Sequence, residues 1–249
     1  MDYVTFENFY CYYKVKNEYV TILENLSFSI RKGELFVIVG PTGAGKTTLL
    51  KSIVGLINNI SGDLYINGKS FEKLDLKYEN IAYVSQEVAL YPNLTIYDNL
   101  AYPLKNMHTS YEEIDRRVKS IAKKFDISFL LTRKPKQLSG GQQQTVVLAK
   151  ALIKNPNLLL FDEPFSNIDE KRRIDIVKNF RKMHNEESFT TILVTHDLRE
   201  ALLIADRILI LDNGKIEQLD TPENIIKSQK SSLIKGYLDE SAKPLWNED

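Results

Sequence analysis

The 249-residue chain has one cysteine, Cys11, so it cannot form an internal disulfide, and a small packing residue in a reducing compartment is the expectation for it. Long hydrophobic runs are missing too. The longest, Leu35 to Val39 and Leu158 to Phe161, fall far short of the roughly 18 apolar residues a membrane-spanning helix needs. No apolar stretch follows Met1 as in a signal peptide, so the expected location is the cytoplasm. Nor is there an excess of one charge: 33 Lys and Arg face 33 Asp and Glu, which removes the case for general nucleic-acid binding by counterion release. No repeat, low-complexity tract or Pro/Gly/Ser-rich linker divides the chain. What remains is a globular composition, 43% apolar, long enough for a full core.

The punctuation is local, at Asn67-Gly68, Asn155-Pro156, Asn213-Gly214 and Pro222. Near the start, Tyr3, Val4 and Phe6, then Thr21 to Leu23 and Leu26 to Ile30, read as short strands of an antiparallel edge sheet. Leu35 to Val39 reads as a buried strand. Lys46 to Val54 follows as a helix with Leu49, Leu50, Ile53 and Val54 on one face and Gly55 at its C-terminal end. Another strand covers Ile81 to Ser85, and Thr95 to Leu131 reads as mainly helical, with Ile114, Val118, Ile121, Ala122 and Phe125 at helical spacing. A helix from Ser139 to Lys154 comes next, then the strand Leu158 to Phe161, the helix Lys171 to Met183, and strands Thr191 to Thr195 and Arg207 to Leu211. Strands alternating with helices predict an α/β fold with a parallel sheet covered on both faces.

Gly40-Pro41-Thr42-Gly43-Ala44-Gly45-Lys46-Thr47 fits the phosphate-loop pattern G-x-x-x-x-G-K-[ST], after a buried strand and before a helix, where the chemistry requires it. Glycines let successive amides turn toward one point, and the helix adds its partial positive end, so the loop with Thr48 behind it can wrap a polyphosphate. Lys46 supplies a charge to the outer phosphates and Thr47 a hydroxyl to Mg²⁺. The strand Leu158 to Phe161 ends in Asp162-Glu163. Adjacent strand residues face opposite ways, which makes Asp162 the candidate metal ligand and Glu163 the candidate general base toward an attacking water. Ser139-Gly140-Gly141 opens a helix with a hydroxyl and bare amides, the makings of a second anion site.

With Leu138-Ser139-Gly140-Gly141-Gln142 between these elements, the chain resembles the ATP-binding cassette (ABC) ATPases over nearly its whole length. The resemblance implies a P-loop NTPase (RecA-like) parallel-sheet core with an N-terminal antiparallel β subdomain and an inserted α-helical subdomain. The single ABC ATPase domain then places the catalytic core at 1–95 and 153–249 and the helical signature subdomain at 96–152. It also implies ATP and Mg²⁺ as cofactors, and a second cassette, of the same or a paralogous chain, whose ATP γ-phosphate meets Ser139, Gly140, Gly141 and Gln142. Gln86 resembles the glutamine joining the Mg²⁺ site to the helical segment. His196, in Thr195-His196-Asp197, resembles the histidine that contacts the γ-phosphate, and Asp169, in Ser166-Asn167-Ile168-Asp169, occupies an interface loop. Tyr13 is the choice for stacking on adenine, with Tyr12 and Tyr19 as competitors. Thr145 and Lys150 stand where family members usually carry arginines, and Asn167-Ile168 replaces the commoner Ala-Leu, departures that bear on dimer closure.

Between Lys105 and Lys136, nine basic residues meet four acidic ones, so the neutral total hides a basic helical segment, read first as a solvated face. In the family, a groove beside this segment receives a helix of a membrane subunit, and Glu87 to Tyr97 would line it. Ala89 to Thr95 resembles the import subunits for sugars and related solutes, whereas the insertion Lys14 to Tyr19 and the run Gln142-Gln143-Gln144 resemble lipoprotein-release or small export cassettes. The expected function is the ATP-hydrolysing subunit of a transporter, peripheral on the cytoplasmic face of the membrane, with separate integral membrane permease subunits, a solute-binding protein and no nucleic acid as partner. A soluble ABC ATPase, for example in iron–sulfur assembly, stays as the alternative.

Overall fold

The computed structural model describes residues 1–76, 79–85, 90–166, 168, 170–187, 189–228, 234 and 236, with no account of the side chains of 170–172. Gln86 and Asp169 of the expected site, with Glu87, Val88, Ala89 and Asn167, lie outside the described residues. Along the chain run β1 (Asp2–Val15), β2 (Glu18–Arg31), β3 (Leu35–Val39), α1 (Lys46–Ile53), β4 (Ile60–Ile66), β5 (Lys69–Ser70), β6 (Ile81–Val84), α2 (Ile96–Lys105) and α3 (Tyr111–Lys124). Then follow α4 (Gly140–Leu152), β7 (Leu158–Asp162), α5 (Glu170–Glu187), β8 (Thr190–Thr195), α6 (Leu198–Ile204), β9 (Arg207–Asp212), β10 (Lys215–Asp220) and α7 (Pro222–Ser228). These fall into two compact units, one of Met1–Leu74 with Thr190–Asp249, the other Asp75–Phe189.

In the first unit an antiparallel sheet runs in the order β2-β1-β4-β5. The sequence suggests several short strands here, but β1 and β2 are each continuous. Asn8 and Asn25 take positive φ (46° and 52°), and the β1–β2 register shifts between Phe6 and Phe9. Such bulges break the alternation from which strands are read, without ending the strand. Beside this sheet in the same unit, β3 pairs in parallel with β8 on one side and β9 on the other, and β10 closes antiparallel on β9. All of β3 and β8 is buried, as expected for strands covered on both faces. Gly55 (φ 69°) takes the left-handed position after α1, its amide bonding Ser52 O at 3.1 Å and that of Leu56 reaching Lys51 O at 2.9 Å, the expected helix stop.

The second unit joins a parallel pair, β6 and β7, to a helical cluster. The stretch expected to be mainly helical is two helices. Thr95 accepts the Asp98 amide at 3.1 Å to start α2, and Ser110 accepts that of Glu113 to start α3. His108 (φ 54°) and Asp126 (φ 53°) make the left-handed exits. Leu100, Leu104, Val118, Leu130 and Val146 pack together with no exposure, each worth about 1.5–3 kcal/mol of burial. The charged residues face outward: Glu113 bonds Arg116 and Arg117 on its own helix, and these guanidiniums hold its carboxyl down at about 2. The basic segment is to that extent the solvated face expected of it.

Candidate functional site

Parallel register brings two expected elements to one end of the first unit. Val39 pairs with Thr195 on β8 and with Ile210 on β9, so Gly40 and His196 leave adjacent strands at their carboxyl ends, where α/β sheets bind ligands. The loop needs its glycines. A Cβ on Gly40 would stand 2.1 Å from Leu211 O, and Gly45, at φ 100°, would press one to 2.5 Å from Leu23 Cδ2. Gly43 is likewise left-handed, at φ 86°. The Ala44 amide reaches back to Pro41 O at 3.2 Å, and from outside Gly214 donates to Ala44 O at 3.2 Å while its own carbonyl takes the Glu24 amide at 2.9 Å. The turn after β9 therefore braces both the phosphate loop and β2. Lys46, 5% exposed, donates from Nζ to Gly40 O (2.8 Å) and Pro41 O (3.0 Å), which keeps its ammonium across the loop. The N-cap of α1 is Gly45, with no side chain to offer the amides behind it, and nothing acidic stands in the first turn.

His196 is exposed, between two anchored neighbours. The Thr195 hydroxyl donates to Glu200 Oε2 at 2.6 Å and accepts the Asp197 amide at 3.0 Å, and Asp197 caps α6 while pairing with Arg199. Among the three tyrosines near the hairpin tip, pairing separates the candidates. Tyr12 lies opposite Thr21, with its hydroxyl 3.2 Å from Ser61 Oγ on β4, and Tyr13 lies opposite Val20 on the other face. Two residues before Tyr13, Cys11 is buried opposite Leu23, the residue against Gly45. A register shift lies between Cys11 and Tyr12, so pairing ties Cys11, and not Tyr13 itself, to the loop. Tyr19, opposite Lys14, is 61% exposed on the Tyr12 face.

In the second unit, β7 is buried throughout and delivers Asp162, 5% exposed, to its carboxyl end, where the Tyr83 hydroxyl donates to Oδ2 at 3.2 Å. Burial, and next the charge of Asp162, push the Tyr83 phenol well above its usual range, so it stays a donor. Glu163 departs from the expected geometry. The strand ends at Asp162 and Glu163 takes φ 50°, so a left-handed turn, not strand alternation, aims its carboxylate. Its carbonyl accepts both the amide (3.3 Å) and the hydroxyl (3.0 Å) of Ser166. Spacing marks neither Tyr83 nor Ser166; both matter through a partner that only the fold supplies.

At the start of α4 the helix caps itself. Ser139 Oγ accepts the Gln142 amide at 3.4 Å, and Gln142 Oε1 accepts that of Ser139 at 3.1 Å. Gly140 and Gly141 follow as its first residues, and Thr145 turns its hydroxyl onto Gly141 O at 2.9 Å. A cavity of about 570 Å³ opens beside it, lined by Ser139, Gly141 and Gln142 with Phe125, Phe129 and Phe180. At the other end, burial lowers the Lys150 ammonium's pKa, and Nζ sits 4.3 Å over the Tyr91 ring. The buried Asn99 pins the expected groove segment, accepting the Tyr91 amide and donating to the carbonyls of Tyr91, Leu94 and Thr95.

The donors present fit the expected cofactors. Amide-lined glycine turns and Lys46 suit a polyphosphate, and the hydroxyl of Thr47 and carboxylate of Asp162 are hard oxygen ligands that suit Mg²⁺. Among the described residues no cluster of three or more His, Cys, Asp or Glu could hold a metal alone.

Residues 23–166, more than half the chain, match the family model described as ABC transporter. The chain belongs to the ABC transporter family. Over 219 residues, 88% of this ABC protein, it is 39% identical to the sn-glycerol-3-phosphate import ATP-binding protein UgpC of Cupriavidus pinatubonensis; over 225 residues, 90%, it is 40% identical to a UgpC protein of Agrobacterium fabrum. It spans 59% and 64% of the lengths of these two relatives. A solved dimeric ATP-binding cassette, in a post-hydrolysis state with ADP and phosphate, is 33% identical and superposes with a TM-score of 0.77, over 88% of this chain and 98% of that one. The fold is that of an ABC ATPase cassette, a P-loop NTPase core with an antiparallel β part and helices.

Proposed function

We propose that the protein is the ATP-binding and ATP-hydrolysing subunit of an ABC importer for a sugar or related polyol phosphate. It acts as one of a pair of cassettes on the cytoplasmic face of the membrane, with integral permease subunits and a solute-binding protein as partners. The observation that carries the reading is the phosphate loop, its glycines required by close approach or by left-handed φ and its lysine held across it. Similarity to sn-glycerol-3-phosphate import proteins supports the solute class. No helix among the described residues is long and apolar enough to cross a membrane, so the transport path belongs to other subunits in this reading.

Roles follow from the chemistry of each group. Tyr13 stacks on the adenine. The amides from Gly40 to Thr48 hold the phosphates, and Lys46 faces the outer ones. Thr47, Asp162 and Gln86 are assigned to Mg²⁺, which when bound with nucleotide withdraws charge from the β- and γ-phosphate oxygens. Glu163 orients the attacking water and takes its proton, and His196 steadies the water against the γ-phosphate. Ser139, Gly140, Gly141 and Gln142 present a helix N-terminus to the γ-phosphate of ATP on the second cassette, with Asp169 at that interface. Glu163→Gln tests the assignment: ATP binding stays, dimers accumulate by light scattering, and turnover falls by about 100-fold or more. Hydrolysis at the unmodified rate would remove Glu163 as the base.

A further inference from the structure

Pro164 disfavours the right-handed helical conformation for the residue before it, and Glu163 sits in the left-handed region instead, at φ 50°. For a residue with a Cβ that conformation is strained, so it persists only where neighbours over-determine it. Two neighbours do. Ser166 gives its amide and hydroxyl to the Glu163 carbonyl, and Gln144, buried on α4, donates from Nε2 to the Pro164 carbonyl. The second bond comes from the helix that opens with Ser139, one and a half turns from its N-cap.

We infer that Gln144 is a positioning residue for the reaction: through Pro164 it ties the signature helix to the backbone turn that aims the Glu163 carboxylate, with Ser166 holding the same turn from the other side. The inference rests on Glu163 being the general base. A shift of α4 on engaging a second cassette is carried along the Gln144 side chain to the peptide that follows Glu163, so the base is aligned by the same helix that senses the partner's nucleotide. Gln144 touches no substrate; its effect falls on the rate of the chemical step and not on ATP affinity.

The test measures ATP–Mg²⁺ affinity, single-turnover hydrolysis and circular dichroism for Gln144→Met, Ser166→Ala and Ser166→Thr, with Gln144→Met also placed on Glu163→Gln. Gln144→Met keeps the length of the side chain and removes the donor; it is expected to bind nucleotide within about twofold of the unmodified protein and to hydrolyse it about 10- to 100-fold more slowly, the range a small misplacement produces. Ser166→Ala is expected to slow hydrolysis by about threefold, the effect of losing one of the two bonds Ser166 makes to the Glu163 carbonyl, and Ser166→Thr to restore it. On Glu163→Gln, the Gln144 change should cost nothing more, because the group it aims is already gone. Full hydrolysis by a folded Gln144→Met, or an equal loss with and without the Glu163 carboxylate, overturns the inference. If Gln144→Met does not fold, the serine pair decides, and unchanged hydrolysis in Ser166→Ala overturns it. Unimpaired Glu163→Gln would instead overturn the general-base reading on which all this stands.

Discussion

Two glycine-rich helix starts in this protein solve the same electrostatic problem in opposite ways. At α1 the N-cap is Gly45, which has no side chain to cap with. At α4, Ser139 and Gln142 exchange side chain and backbone bonds, so the helix start supplies side-chain acceptors to two of its own amides. The glycines differ as well. Those of the phosphate loop are compelled by contact or by positive φ, whereas among the described residues a Cβ on Gly141 would meet only Ile176 Cδ1, at 3.5 Å. In the proposed reading, an anion at the start of α1 meets no side-chain cap, whereas one arriving at the start of α4 competes with Ser139 and Gln142.

Substitutions can sharpen this contrast or break it. The largest effect is expected from Gly40→Ala, which drives a methyl into the backbone of β9 and should destabilise the protein by about 3 kcal/mol in chemical denaturation, taking nucleotide binding with it. Next, Lys46→Ala should fold normally and bind ATP about 100-fold more weakly in a fluorescence titration, having lost a charge on the outer phosphates. Ser139→Ala removes the cap of α4 and is expected to cost about 1 kcal/mol. That is a fall in Tm of about 2–4 °C for a protein of this size, with ATP affinity of the isolated subunit unchanged. The smallest effect belongs to Gly141→Ala, within about 0.5 kcal/mol, since the methyl meets ordinary contact and the helix gains propensity. If Gly141→Ala proved as damaging as Gly40→Ala, or Ser139→Ala weakened ATP binding by the single subunit, the distinction between the two helix starts would be gone.

Where periodicity and chemistry agree, the elements were legible. Leu35 to Val39 is a strand to the residue, and Thr190–Thr195 and Leu158–Asp162 each extend the expected strand by one residue. Runs this apolar have only the interior to go to. Lys46 to Gly55 also reads through, because a phosphate loop and a glycine stop are local signals. Bulged strands are not local in that sense: Asn8 and Asn25 displace the alternation of β1 and β2, and only the partner strand restores the register. Neither β4 nor β10 stood out, being short and polar enough to pass for loop. At the site, the residue types and their order were readable, but the aim of Glu163 was not. Its conformation is set by Pro164, Ser166 and Gln144 together, and Gln144 in a run of three glutamines carries no mark of the one that points inward.

The brace that Gly214 places on Ala44 and Glu24 joins three segments that lie far apart in the chain. The phosphate loop therefore keeps its shape through distant partners as well as through its own glycines, and local unfolding of the turn after β9 would loosen the loop without touching any residue of it.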